Sequence, residues 1–234
     1  MAWLALLTGL LPLLVVNIAY MMSAGGGHIP QCIPYLQGCT SISAAGRYGI
    51  SFFFFKAGMI PEAVALAAFW FLCRRWLLLL GDADGLMTRA IVFTGCTSAA
   101  FLIVYTIFLG SDGDFYRLMR RYGVNIYFSF SYLAQLMLLS RLQRLQKNAD
   151  LNLPPYILTG KLTILIAMLV IGLCSIPLSD IFTDDPRPRN IVEWIFALLM
   201  VSYHFFTWRA WRCTDFHVTP GTGKDDDRQV DHPV

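Results

Sequence analysis

Charged side chains are scarce in this sequence: Asp, Glu, Lys and Arg together make up 14% of its 234 residues. A soluble domain carries about 25% charged residues, because water must solvate its surface. The formal net charge is only +3, whereas nucleic-acid-binding proteins concentrate basic residues in patches. The composition therefore argues against a soluble globular fold and against nucleic acid as a partner.

The common signatures of metal and cofactor chemistry are missing as well. The chain has no H-E-x-x-H zinc motif, no P-loop and no dinucleotide-binding fingerprint. The only other metal ligand near Cys32 and Cys39 in the sequence is His28. A structural zinc ion needs four ligands, so these residues are too few. We therefore expect no metal and no other cofactor.

Long apolar runs are what the sequence has instead. Hydrophobic residues make up 56% of the chain, and its mean hydropathy is +0.56. A bilayer core of about 30 Å needs about 20 apolar residues per helix. Six stretches reach or approach this length: 3–23, 51–73, 90–109, 124–140, 162–178 and 191–208. We predict an all-α polytopic membrane bundle of six transmembrane helices in residues 1–213, followed by a disordered cytoplasmic tail at 214–234.

The first span and the orientation of the bundle each allow two interpretations. Small residues follow the first apolar stretch, as they do in a cleaved signal peptide, but the stretch lacks a basic start and is longer than a signal. We favour a retained helix. With six spans both termini share a side, and Lys and Arg, including Lys161, are more numerous there. Because cytoplasmic loops carry the excess of Lys and Arg, both termini are predicted to be cytoplasmic.

Four ionisable residues lie inside the predicted spans: Lys56, Glu62, Glu193 and His204. Each such group costs about 2.5–3.5 kcal/mol on insertion scales, so it usually faces the bundle interior and has a function. Glu62, next to Pro61, is predicted near the bilayer centre, where a protonated structural carboxyl is the alternative. Lys56 lies near the outer interface, where it could extend its ammonium into the head-group layer, receive a lipid phosphate or pair with Glu193.

Glu193 and His204 are predicted to share one face of the last helix. They are eleven residues apart, which leaves them about 20° out of line and about 16 Å apart along the helix axis. They cannot contact each other, so each needs a partner on another helix or a bound molecule. Glu62, Glu193 and His204 are the catalytic candidates. A satisfied core histidine is the alternative for His204, because no carboxylate is placed to orient it.

Two cysteines lie together in the first outer loop. Cys32 and Cys39 would face an oxidising compartment, where disulfides form and persist. A disulfide between them is a plausible interpretation. The other four cysteines fit simpler roles in the apolar core or at helix ends.

Two short motifs carry a family resemblance. The outer loop contains Ser41-Ile42-Ser43-Ala44, and the last span contains Glu193-Trp194 followed by His204. On these motifs the chain resembles the FRAG/DRAM/SFK family of six-span membrane proteins, and the last helix is similar to that of its GPI-related branch. The resemblance implies membrane lipids as partners, with other membrane proteins second. It also implies a secretory-pathway membrane (Golgi or ER) in a eukaryote, and the bacterial counterpart is the inner membrane.

The resemblance implies a role in lipid remodelling or lipid organisation, related to the lipid remodelling of GPI anchors. Whether the protein is an enzyme stays open; acyl transfer or hydrolysis would use His204 as general base. A small transporter or channel, and a non-catalytic scaffold for a membrane enzyme, are the alternatives. The candidates for binding a lipid head group are Ser41, Ser43, Arg47 and Lys56, with Arg117, Arg120 and Arg121 as further cations.

Overall fold

A computed structural model describes residues 1–148, 153–181 and 185–216 of the chain. Over these residues the protein is helical and contains no strand, which confirms the all-α prediction. The helices are α1 (Ala2–Gly25), α2 (Pro34–Gln37), α3 (Ile42–Ala45), α4 (Gly49–Leu79), α5 (Leu86–Phe108), α6 (Asp114–Asn148), α7 (Pro155–Ile181) and α8 (Arg187–Cys213). The predicted tail from residue 217 onward lies outside the described residues, but Phe216 packs on Trp211 with ring centroids 5.1 Å apart.

Five of the described helices are long and apolar enough to cross a membrane: α1, α4, α5, α8 and the Pro155–Ser175 part of α7. The remaining long helix, α6, has 35 residues and is less apolar. Its middle contains Asn125, Gln135 and several tyrosines and serines. These polar groups explain why hydropathy alone selects five spans rather than six.

The connectivity nevertheless requires α6 to run the length of the bundle. Cys32 and Cys39 form a disulfide, as predicted. We call the end that carries this loop the disulfide end and the opposite end the terminal end. α5 finishes at the disulfide end, where Lys56 near the start of α4 donates to the Ile107 carbonyl. α7 starts at the terminal end, where Tyr156 accepts a bond from Arg209. α6 therefore connects the two ends.

The six long helices form a closed ring. Each packs against the next long helix in the chain, and α8 closes the ring by packing against α1. Close approach depends on small residues, since a Cβ at Gly95 would overlap the Trp70 indole and one at Gly123 would crowd the Tyr105 backbone. Such contacts hold membrane helices together where the lipid removes most of the hydrophobic driving force. The α6–α7 junction is the least closely packed part of the ring.

Two apolar clusters fill the bundle. The cluster nearer the terminal end is built around Trp70, Trp76 and Trp211, and the cluster nearer the disulfide end around Phe55 and Trp194. All five side chains are almost completely buried. Large aromatic side chains contribute most of the packing contacts in such a core.

A buried ion pair fixes the α4–α5 loop to α6. Arg141 donates its Nε to Asp82 Oδ2 over 2.8 Å, and the side chain of Asp82 is only 2% exposed. Charges with so little access to solvent need a partner, because burying an unpaired charge is costly. The pair thus determines how the loop sits on the terminal end.

One predicted position needs correction. Lys161 was expected among the loop cations of the terminal side, but it lies within α7 and is fully buried. Pro155 is the first residue of α7, and proline is favoured at the first helical position. The helix therefore begins six residues before Lys161, and the lysine faces the interior of the ring.

Candidate functional site

The outer-loop motif and the last-helix motif lie against each other in the structure. Asn190 donates to the Gly38 carbonyl over 2.8 Å, and the Trp194 indole donates to the Thr40 carbonyl over 2.9 Å. The Gly38 backbone is left-handed, with φ 59°, and a Cβ there would overlap the Arg187 carbonyl. The first turns of α8 therefore hold the loop in place through its backbone.

Glu193 completes this contact at the start of α3. Its carboxylate accepts from the backbone N–H groups of Ile42 and Ser43. The Ser41 hydroxyl accepts from the Ala44 N–H over 3.1 Å and lies 3.1 Å from the Ser43 hydroxyl. The free N–H groups of the first turn of α3 thus all have partners, as a helix start requires. Glu193, Ser41 and Ser43 form one connected polar group.

A narrow cavity lies behind Glu193, inside the disulfide half of the ring. Its volume is about 40 Å³. All six long helices except α7 contribute to its wall, together with α2 and α3. Most lining side chains are apolar, and the polar ones are Glu193, Tyr35, Tyr105 and Tyr127. The cavity is therefore apolar along its length, with a carboxylate and phenols in its wall.

Two of these phenols connect the cavity to further ionisable groups. Tyr105, fully buried on α5, interacts electrostatically with Glu193, Arg47 and Arg120. Tyr127 on α6 interacts in the same way with Glu62. Glu62 is 2% exposed, and its Oε2 has no hydrogen-bond partner within the described part of the chain. The third phenol, Tyr35 in the outer loop, has its pKa raised by burial.

Two arginines lie at the disulfide end beside this cavity. Arg120 donates to the Ser111 carbonyl over 2.6 Å and to the Phe108 carbonyl over 3.3 Å. Arg47 and Arg120 are close enough to repel each other. The Arg47 Nε is buried and, among the described residues, has no acceptor. This pair is a local concentration of positive charge with unused hydrogen-bond donors.

Lys56 lies apart from that pair. Its ammonium donates to the Ile107 carbonyl over 3.0 Å and lies 4.1 Å from the centroid of the Phe52 ring. Lys56 thus satisfies a free carbonyl at the C-terminus of α5. Among the described residues there is no ion pair between Lys56 and Glu193.

His204 lies in the other half of the ring, among core residues. Its Nδ1 is 2.9 Å from the Thr8 hydroxyl, and its ring packs on Phe69 with centroids 4.6 Å apart. Within the described residues, no hydrogen bond or ion pair joins His204 to Glu62 or Glu193. The three catalytic candidates are therefore not brought together.

Lys161 forms a second polar contact in that half. Its ammonium donates to the Thr207 hydroxyl over 2.5 Å and lies 3.6 Å from the centroid of the Tyr203 ring. No carboxylate pairs with it in the described part of the chain. Within the described residues, no group of three or more His, Cys, Asp or Glu side chains could hold a metal ion.

Sequence reasoning missed several residues of these sites. Thr8 and Tyr105 lie in apolar runs, and their partners come from other helices. Lys161 could have been placed inside the helix from the proline pair at 154 and 155, which marks a helix start as readily as a loop. Asn190 gave no signal, because its partner is a backbone carbonyl.

The fold and the apolar helices define a multi-pass α-helical integral membrane protein. The family described as Frag1/DRAM/Sfk1/Cwh43P N-terminal domain matches residues 1–212, and the chain belongs to this family. No curated protein and no solved structure gives a significant match to the chain. The finer resemblance to post-GPI attachment to proteins factor two stays a prediction.

Proposed function

We propose that this protein binds a membrane phospholipid at the disulfide end of its bundle, as part of lipid remodelling or lipid organisation. The observation that carries the proposal is the apolar cavity with the arginine pair beside it. An apolar cavity inside a membrane protein suits the hydrocarbon of a lipid, and a phosphate suits guanidinium groups with free donors. GPI-anchor lipids are one class that meets this description.

The charged groups beside the cavity support part of the predicted head-group site. Arg47 and Arg120 are the phosphate partners that we propose, with Arg47 supplying the unused donor. Ser41 and Ser43 already serve α3, and Lys56 already serves α5, so their roles at a head group would be indirect. Membrane lipids are the partners of this proposal, and other membrane proteins are the alternative.

A catalytic role has less support than a binding role. Acyl transfer or hydrolysis needs a base beside the lipid ester, and His204 sits in the other half of the ring against Thr8 and Phe69. Glu193 is the candidate that does reach the cavity. If the protein is an acyltransferase or hydrolase, we propose Glu193 rather than His204 as its acid–base group.

The proposal also requires α6 to cross the bilayer, giving six spans with both termini cytoplasmic. The direct check is labelling of single cysteines by an impermeant thiol reagent in intact cells. Cysteine at Ser111 in the α5–α6 loop should react from outside, and cysteine at Gln146 near the end of α6 should not. Equal reaction at both positions would leave α6 outside the membrane and the cavity without a sixth wall.

The lipid-binding test uses the purified protein and native mass spectrometry of its bound lipids. Loss of one charge-assisted hydrogen bond is worth about 1.5–3 kcal/mol, so Arg47→Ala should weaken binding of phosphatidylglycerol about tenfold or more. Arg75→Ala is the matched control, since Arg75 is exposed at the terminal end. Equal lipid occupancy in both variants would overturn the head-group assignment. If the protein instead carried a solute across proteoliposome membranes whether or not lipid was bound, the transporter alternative would be favoured.

A further inference from the structure

A groove runs down the outside of the ring where α6 and α7 separate. The groove has a volume of about 240 Å³ and is more open than the internal cavity. Its wall includes Phe128 and Tyr132 of α6, Leu169, Gly172 and Leu173 of α7, and Phe196 of α8.

The groove opens on the surface that faces the lipid. Leu133 and Leu136 of α6 are about two-fifths exposed, and Leu169 and Leu173 of α7 are about half exposed. In a membrane these apolar side chains contact acyl chains, because water does not solvate the hydrocarbon core. Gly172 adds room, since the nearest atom to a Cβ there would be Phe196 Cε2 at 3.9 Å. The groove thus presents a chain-sized apolar space to the bilayer.

The groove and the internal cavity share a wall. Phe128 lines both of them, and its ring packs edge-to-face on Phe196 with centroids 5.4 Å apart and planes at 78°. Both rings are only partly buried. Phe128 is thus the residue that the linings of the two spaces have in common, and its side chain is the candidate barrier between them.

We propose that the α6–α7 groove is a lateral entrance through which the end of a phospholipid acyl chain passes from the bilayer into the internal cavity, with Phe128 as its gate. This inference rests on the proposed lipid-binding function and adds the route and the residue that controls it. The loose packing of α6 against α7 is the structural cause of the entrance. The occupant is an acyl chain because an apolar groove open to the bilayer lies directly against an apolar cavity.

The test measures how deep a lipid tail reaches. The full-length protein is placed in phosphatidylcholine–phosphatidylglycerol vesicles containing a phospholipid with a diazirine near the end of one acyl chain. After irradiation, mass spectrometry gives the label on Leu102, which lines the cavity and is 1% exposed, relative to Phe93, which is 70% exposed on the same helix. This ratio reports entry into the cavity, with general contact with lipid as its internal reference.

Three variants separate the route from unspecific effects. Gly172→Phe fills the groove and should lower the Leu102-to-Phe93 ratio at least fivefold. Val170→Phe adds an aromatic ring to the same helix at a position that is 52% exposed and outside the groove, and should leave the ratio unchanged. Phe128→Ala removes the gate and should raise the ratio severalfold, so the proposal does not depend on one variant folding.

Each other outcome overturns the inference. A ratio unaffected by both Gly172→Phe and Phe128→Ala, while Arg47→Ala still loses lipid, refutes the route and leaves the proposed function in place. If the wild type carries no label on Leu102 and Arg47→Ala binds lipid normally, both the route and the proposed function are refuted. A change of oligomeric state in Gly172→Phe, seen by mass, would assign the groove to a second copy of the chain instead.

Discussion

The indole N–H of Trp194 donates to the backbone carbonyl of Thr40 over 2.9 Å, across 154 positions of sequence. The indole is 1% exposed, so this carbonyl has no access to water at that point. The ring also packs against Tyr35 with centroids 5.0 Å apart. One side chain of the last helix thus holds both the backbone and a side chain of the outer loop.

The hydrogen bond of Trp194 can be separated from its packing. Trp194→Phe keeps most of the ring but leaves the buried Thr40 carbonyl without its donor, which costs about 1–3 kcal/mol. We expect the free energy of unfolding in SDS titrations of mixed micelles to fall by that amount. Trp208→Phe is the control, since Trp208 is only partly buried. Equal losses in the two variants would mean that ring size, not the bond, matters.

His204 is predicted to be a structural histidine held by Thr8. Thr8→Val removes the hydroxyl that lies 2.9 Å from Nδ1 and leaves a buried ring nitrogen unpaired, at a cost of about 1–3 kcal/mol. Thr8→Ser keeps the hydroxyl and should be close to wild type. In SDS unfolding the pair Thr8→Val and His204→Phe should be less destabilising together than their sum. Strict additivity would contradict the contact.

Lys161 should be dispensable for folding. Its ammonium is buried with a hydroxyl and an aromatic ring, and burying a charge without an opposite charge is costly. We expect Lys161→Met to match or exceed the wild-type free energy of unfolding. Thr207→Val should cost about 1–3 kcal/mol in wild type and little in the Lys161→Met background. A large loss in Lys161→Met alone would indicate a partner that this prediction omits.

The ionised carboxylate of Asp84 should stabilise the folded protein at neutral pH but not in acid. Hydrogen bonds from Arg74 and Arg89 hold the pKa of Asp84 below its ordinary value of 3.8. A lowered pKa in the folded state means that the contribution is complete above the ordinary pKa and is lost as pH falls through the folded value. The difference in melting temperature between wild type and Asp84→Asn should therefore be small, constant above about pH 5, and lost as the pH falls below the ordinary pKa of an aspartate.

The control for that pH series is a carboxylate of similar exposure. Asp112 is exposed in the α5–α6 loop and forms no ion pair with another described residue. Asp112→Asn should follow wild type across the whole range. A difference for Asp84→Asn that grows toward acid pH would give the linkage the opposite sign and refute the role of the two arginines.

The sequence was sufficient to predict what depends on composition and helical spacing. Hydropathy indicated the membrane class, and the spacing of Glu193 and His204 correctly required a separate partner for each. Those partners could not be predicted, because Thr8 and the N–H groups of α3 are brought near them only by tertiary packing. Lys161 was misplaced for a related reason, since its burial depends on where α7 begins and on which side chains close around it.

The packing of the closed ring determines where the bundle can open. The first and last of the long helices, α1 and α8, pack extensively against each other. The loosest junction lies instead between α6 and α7, which are consecutive long helices in the chain. Separation there leaves both sides covalently tethered and able to close again in the same register. The chain between Asn148 and Pro155 is only six residues long, so it limits how far α6 and α7 can move apart.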